Sequence, residues 1–303
     1  MSIGIEWELY RAFLGVLREG SLSGAARALG VAQPTVGRHV AALEAALGIV
    51  LFTRSQTGLL PTEAALALCI DAEAMESTAA ALERKASGFR DGVDAVRGTV
   101  RISVSEVVGV EVMPAIVADL VRRHPALEVE LVLSDRVHDL LQREADIAVR
   151  MTAPRQEQLV ARRVGAVELG MHASPDYLAR RGVPATVADL AAHTVIGHDR
   201  ETPFLRAAAK SLPGLSLDRF TVRTDSNTAQ LALLRAGVGL GICQLPLAAR
   251  APALVRVLAD ALALRLDMWV TMHEDLRASP RCRVAFDALV AGLEAYAGGV
   301  QSA

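Results

Sequence analysis

Residues 21–62, SLSGAARALGVAQPTVGRHVAALEAALGIVLFTRSQTGLLPT, leave this chain few choices of local structure. Ser21 or Ser23 can cap a helix over residues 25–29, because a hydroxyl accepts from the free N–H groups of a first turn. Gly30 ends that helix, and Pro34 opens a second where a missing N–H costs nothing. Val36, Val40, Leu43 and Leu47 then recur on one helical face until Gly48. The opposite face carries Gln33, Thr35, Arg38 and His39, side chains suited to base edges or phosphate oxygens. The spacing predicts a helix-turn-helix whose second helix is a candidate reader of a DNA major groove. A preceding helix with Leu9, Phe13, Val16 and Leu17 inward, ended at Gly20, would complete a three-helix core.

Charge gives this reading little help. The net charge is −2, and residues 1–62 hold five Arg (11, 18, 27, 38, 54) against four Glu (6, 8, 19, 44). Affinity for DNA would rest on where a few arginines point and on helix N-termini, not on a basic cloud. The 303 residues exceed one typical domain, and an apolar fraction of 52% allows large cores. No apolar run approaches a membrane span, and MSIGIEWELY lacks the basic and apolar regions of a signal peptide. A soluble cytoplasmic protein without membrane association is expected. Cys69, Cys243 and Cys282 are far apart, without ligand spacing; buried reduced thiols are the first expectation and a redox pair the alternative.

Beyond Thr62 the pattern becomes a long Ala-rich helix reaching about Phe89. Ala65, Ala72, Ala79 and Ala86 repeat every seven residues, as do Leu68, Met75, Leu82 and Phe89 three positions later. That is an a/d seam over four heptads, which predicts pairing with another helix, most simply its own copy, the alternative being a single helix lying on its own domain. Ala65, Leu68, Ala72, Met75, Ala79 and Leu82 are the dimerisation candidates. Residues 90–98 form a polar, Gly-containing hinge.

The chain then alternates strands and helices. Strands are expected at 100–104, 127–133, 146–150, 194–197, 220–224 and 262–270. Helices are expected at about 113–120, after Ser174-Pro175, at 227–235 and at 281–296. The succession predicts a parallel-type sheet with helices on its faces. Gly237, Gly239 and Gly241 lack the GxGxxG spacing of a nucleotide loop and read as a tight helix-to-strand turn.

Ser21, Ala25-Ala26, Leu29, Gln33-Pro34, Leu43-Glu44, Leu51-Phe52, Arg54, Leu60 and Thr62 together resemble the winged helix-turn-helix of LysR-type transcriptional regulators. Gly37 stands where that family usually has Ser, Ala65 stands where a Gly commonly follows the Thr, and the wing at 54–58 has one basic residue where relatives often have two. Gly98-Thr99-Val100-Arg101-Ile102, His124-Pro125, Asp146 to Arg150, Ser174-Pro175 and Leu245-Pro246 resemble the family's effector domain more loosely. The resemblance implies three parts: a DNA-binding domain at 1–62, a linker and dimerisation helix at 63–90, and an effector domain at 91–303. That last domain would be periplasmic-binding-protein-like. Lobe I would take about 91–164 plus 265–303, lobe II about 165–264, and a small-molecule effector would lie between them. It also implies promoter DNA as a partner, RNA polymerase as a candidate partner, and a homodimer or homotetramer. Ser23, Gln33, Pro34, Thr35, Arg38, His39, Arg54 and Thr62 are the DNA-binding candidates. A solute-binding protein of the same fold is the rival; the missing signal peptide and the extra N-terminal segment oppose it.

Ligands of open α/β sheets sit beyond strand carboxyl ends, near helix N-termini. That rule selects Ser105, Glu106, Arg150, Met151, Thr152, His198, Ser226 and Asn227 for the effector. Glu106 either faces the cleft and disfavours a purely anionic effector, or caps the helix that follows it. No nucleophile elbow, carboxylate pair or metal cluster is legible, so neither catalysis nor a cofactor is expected.

Overall fold

The computed structural model describes residues 4–55, 58–87, 96–134, 145–154, 158–202, 205–206, 216–250 and 253–299. Positions 56 and 57 of the expected wing, Phe89 and most of the expected hinge lie outside them. The described residues divide into two compact units, one reaching Glu83 and one beginning at Arg84.

The first unit opens with α1 (Trp7–Glu19), α2 (Leu22–Leu29) and α3 (Gln33–Leu47). Ser21, not Ser23, caps α2: its Oγ accepts from the Gly24 N–H at 3.1 Å. The hairpin of β1 (Phe52–Ser55) and β2 (Gly58–Pro61) follows, held at both ends. The Glu44 carboxylate accepts from the N–H groups of Leu51 at 2.7 Å and Phe52 at 3.2 Å. At the other end Leu59 N–H donates to the Gly20 carbonyl at 2.9 Å. Gly58 has φ +139°, and a Cβ there would lie 2.6 Å from that carbonyl oxygen, so only glycine permits this docking. Phe13, Leu14, Val16, Val36, Val40, Leu43 and Leu51 form the core beneath.

Helix α4 (Glu63–Ser87) divides the heptad seam in two. Ala65 and Ala72 are buried in the core that α1 to α3 build, with Leu68 packed against it. Arg18 of α1 and Glu76 of α4 pair at 3.0 and 2.6 Å along the same contact. A seven-residue repeat marks a buried face without saying what buries it, and here the N-terminal half of the seam is spent inside the unit. Met75 and Leu82 remain exposed, as do Leu66 and Ile70, which the heptad reading left out.

The second unit runs β3 (Gly98–Val104), α5 (Glu106–Glu111), α6 (Met113–Arg123), β4 (Leu127–Leu133), β5 (Ile147–Arg150), β6 (Leu159–Ala173) and α7 (Pro175–Arg181). It continues through β7 (Ile196–His198), β8 (Val222–Thr224), α8 (Asn227–Arg235), β9 (Gly241–Gln244), α9 (Leu245–Ala248), β10 (Val255–Val257), β11 (Ala263–His273) and α10 (Pro280–Gly298). The main sheet has the order β10-β6-β11-β5-β3-β4, with β9 also paired to β6. It is mixed, not parallel throughout. β3 runs parallel to β4 and β5, whereas β11 is antiparallel to both β5 and β6. The 15-residue β6 has no counterpart in the sequence reading, because Arg162-Arg163, Gly165 and Glu168 interrupt its alternation.

The β6–β11 ladder shifts register between Met268 and Trp269. Opposite the shift, Gly165 has φ +136°, and a Cβ there would sit 2.7 Å from the Ala297 Cβ of α10. The extra residue bends the pair, as β-bulges do. Two apolar clusters result. The larger joins Val104, Ile147, Val149, Met268, Val270 and Leu289 with Leu231 and Leu234 of α8. The smaller joins Met171, Tyr177, Leu178, Val195, Phe220 and Leu240.

Gly37 sits mid-helix in α3, where a Cβ would meet only the Leu22 Cδ1, at an ordinary 3.5 Å. Gly37→Ala is therefore expected to raise stability by about 0.5–1 kcal/mol, the helix-interior cost of glycine. Urea unfolding measures it; a loss of stability would mean that α3 is packed more tightly there.

Candidate functional site

Two regions of the surface gather the residues that the sequence singles out. The first is the outer face of α3. Gln33, Pro34 and Arg38 are exposed, and Thr35 and His39 are half-buried beside them. Ser23 is exposed on the first turn of α2, and Arg54 is exposed on β1. Thr62 is different. Its hydroxyl donates to the Val50 carbonyl at 2.9 Å and accepts from the Ala65 N–H at 3.2 Å, so it ties the hairpin to the start of α4.

The five arginines of this segment divide cleanly. Arg11 pairs with Glu8, and Arg18 with Glu76 and Glu73. Arg27, Arg38 and Arg54 are exposed and have no ion pair or hydrogen bond among the described residues. Arg27 was absent from the sequence candidates. The signal for it was present: positions three and four away hold Ser23, Gly24, Gly30 and Val31, none of them acidic. Arg11, in contrast, has Glu8 three residues before it.

The second region lies where α5 meets α8. Ser105 occupies the N-cap position of α5 without capping it through its side chain. Glu106 follows, and it turns its carboxylate toward Ser226 and Asn227 rather than back onto the N–H groups of α5. Its Oε2 crosses to the first turn of α8, accepting from the Asn227 N–H at 2.9 Å, the Ser226 hydroxyl at 3.2 Å and the Thr228 N–H at 3.5 Å. A carboxylate suits the positive end of a helix dipole, but the dipole it serves through its side chain belongs to α8. Ser226 Oγ accepts from the Ala229 N–H and lies 2.8 Å from the Thr228 hydroxyl. Gln230, one position on, meets His198 Nδ1 at 3.2 Å.

The structure thus brings Glu106, Ser226, Asn227 and His198 together, and adds Thr228 and Gln230, which the sequence reading missed. Arg150 is drawn onto the sheet, donating to the Ser103 hydroxyl at 2.7 Å and the Val149 carbonyl at 2.9 Å. Met151 packs on the larger apolar cluster, and Thr152 is exposed. At the far end of α5, Glu111 holds Arg235 through two contacts of 2.7 and 2.8 Å. Those hydrogen bonds hold the Glu111 carboxyl below the usual carboxylate range, against the opposing effect of burial. All three cysteines are free; Cys69 is half-buried, not buried as expected, and burial pushes the Cys243 thiol up to about 12. No group of metal-ligating side chains is found among the described residues, and no described helix is long and apolar enough to cross a membrane.

The chain thus joins a helix-turn-helix with a hairpin to a mixed α/β unit built on two long antiparallel strands, β6 and β11. Residues 7–66 match the bacterial regulatory helix-turn-helix protein, lysR family, and residues 94–294 match the LysR substrate binding domain. The chain belongs to the LysR family. It is 30% identical over 184 residues to an HTH-type transcriptional regulator of Xanthomonas campestris pv. campestris (strain 8004), covering 61% of this chain and 53% of that protein. It is 27% identical over 186 residues to the HTH-type transcriptional regulator PgrR of Escherichia coli (strain K12), covering 61% of each. The match thus spans less than two thirds of the length of either relative. Among solved structures, CrgA from Neisseria meningitidis superposes with a TM-score of 0.59 at 24% identity, over 94% of this chain and 98% of that one. Full-length CbnR in complex with its target DNA gives 0.66 at 21%, over 95% and 99%. At these identities the likeness is one of fold.

The lowered Glu111 pKa has a thermodynamic consequence. A carboxyl depressed in the folded state contributes stability that is complete above its ordinary value near 4.5 and is lost as pH falls through the folded value. The stability gap between wild type and Glu111→Gln should therefore be open at neutral pH and close in acid. Urea unfolding across the acid range measures it; a gap independent of pH would contradict the ion pair.

Proposed function

We propose that this chain is a cytoplasmic transcription regulator that reads promoter DNA through α3 and switches transcription when a small molecule binds between the two lobes of its second unit. It acts by binding, not by catalysis, and RNA polymerase is the candidate partner downstream. The observation that carries the reading is the set of unpaired cations. A segment with a net charge of only +1 keeps Arg27, Arg38 and Arg54 exposed and clear of carboxylates, around a helix face of Gln33, Thr35 and His39. Exposed cations without internal partners are what phosphate neutralisation requires, and polar groups on a helix face are what base edges require.

Lobe I takes residues 91–164 and 265–303, and lobe II takes residues 165–264. The β6 boundary falls at Gly165, where the ladder bends. The effector contacts are Ser105 and Glu106 from one side and Ser226, Asn227 and His198 from the other, with Thr228 and Gln230 added. Pairing of two copies uses α4 through Met75, Ala79 and Leu82, joined by exposed Leu66 and Ile70, since Ala65 and Ala72 are already buried. A homodimer, or a homotetramer built from it, then presents two reading helices to two half-sites.

Arg38→Ala is expected to cost about 1–3 kcal/mol of operator binding while the fold is kept. Arg27→Ala and Arg54→Ala should weaken binding to all sequences alike and lower the salt slope by about 1 each. Titrations of fluorescent duplex at several salt concentrations measure both effects. An operator affinity and salt slope unchanged in all three folded variants would remove the assignment.

A further inference from the structure

Helices α5 and α8 lie side by side and run the same way, because contacts pair their beginnings and their ends. Glu106, the first residue of α5, meets the first turn of α8. Glu111, the last residue of α5, meets Arg235, the last residue of α8. Between the ends, Val108 of α5 and Leu231 and Leu234 of α8 are buried in one apolar cluster. α5 itself is fixed to the sheet: a Cβ on Gly109 would lie 2.2 Å from Leu133 Cδ2 of β4.

The two ends are unequal. The Glu111 end is a bidentate carboxylate–guanidinium pair, with the Glu111 side chain only 18% exposed. Arg250 adds a 2.6 Å hydrogen bond to the Glu111 carbonyl. Bidentate charge-assisted pairs are among the strongest polar contacts. The Glu106 end uses one carboxylate oxygen for three donors, one of them at 3.5 Å. Yet it completes the N-terminus of α8. A helix leaves its first N–H groups without partners. Here Asn227 and Thr228 donate to Glu106, Ala229 donates to the Ser226 hydroxyl, and Gln230 begins the helical pattern on the Ser226 carbonyl.

We propose that α5 and α8 form a clasp with a releasing end at Glu106 and a holding end at Glu111–Arg235, so that α8 opens by pivoting about Arg235. The releasing end is also where Ser105, Ser226 and Asn227 gather. Any molecule that takes hydrogen bonds from the first turn of α8 competes with Glu106 and reads out as release of that end. This last step rests on the effector reading given above; the unequal clasp does not, being a property of the free chain.

Backbone hydrogen exchange on the full-length protein, without DNA or effector, tests the clasp. Glu106→Ala should speed exchange about tenfold in peptides covering residues 226–231, the loss of one charge-assisted contact, and leave residues 232–236 protected. Glu106→Gln, which keeps an acceptor but not the charge, should fall between. Arg235→Met should speed exchange along the whole helix. Equal acceleration at both ends in Glu106→Ala, or none at either end, would overturn the clasp, and thermal melts of Glu106→Gln separate local release from failure to fold. If exchange follows the expected pattern but amines, amino acids and dicarboxylates shift the thermal melts of wild type and Glu106→Gln alike, the clasp stands and the effector reading falls.

Discussion

The pairing of β6 with β11 is the contact on which the second unit depends. These strands come from positions about a hundred residues apart and pair over most of their lengths, from Ala263 opposite Gly170 to His273 opposite Leu159. β6 also carries β9 and β10, while β11 carries β5 and through it β3 and β4. Removing this one ladder would separate the sheet into halves with no strand in common. The bulge at Gly165 bends the ladder where α10 packs against it, and the larger apolar cluster closes over that bend with α8 included. The end of β3, with α5 after it, meets the start of α8 through the Glu106 carboxylate and the shared apolar cluster, while β7 pairs with β8 in a separate two-stranded sheet.

The first unit solves a different problem. It must leave charge available on a chain with little net charge to offer. It does so by choosing which cations to neutralise. Arg18 is spent on joining α1 to α4, and Arg11 is spent within α1. Glu44, the one acid in α3, is turned inward to hold the start of the hairpin. The charge that remains on the outer face of α3 is positive, Arg38.

Much of this was legible in the sequence, and the reasons for the rest are physical. Local signals carried the helix-turn-helix: caps at Ser21, stops at Gly20, Gly30 and Gly48, and Pro34 all act within a few residues of themselves. The strand and helix succession from Gly98 onward was legible for the same reason. The antiparallel β6 was not, since its partner lies far along the chain and its outer half is polar. The α4 seam marked a buried face but not that Ala65, Leu68 and Ala72 would be covered by the unit's own core, because periodicity records burial and not the burying surface. Glu106 was placed correctly at a helix start, yet the helix it serves begins 121 residues later, a relation no local pattern encodes. Arg27 needed only a check for nearby acids.

The account stands or falls on whether α3 reads sequence. Footprinting of the full-length protein on the DNA upstream of its own gene, with unrelated duplex as competitor, addresses that directly. The account predicts saturable protection of two related half-sites with binding about a thousandfold or more tighter than to the competitor. Equal affinity for both DNAs, with no defined protected site, would contradict it.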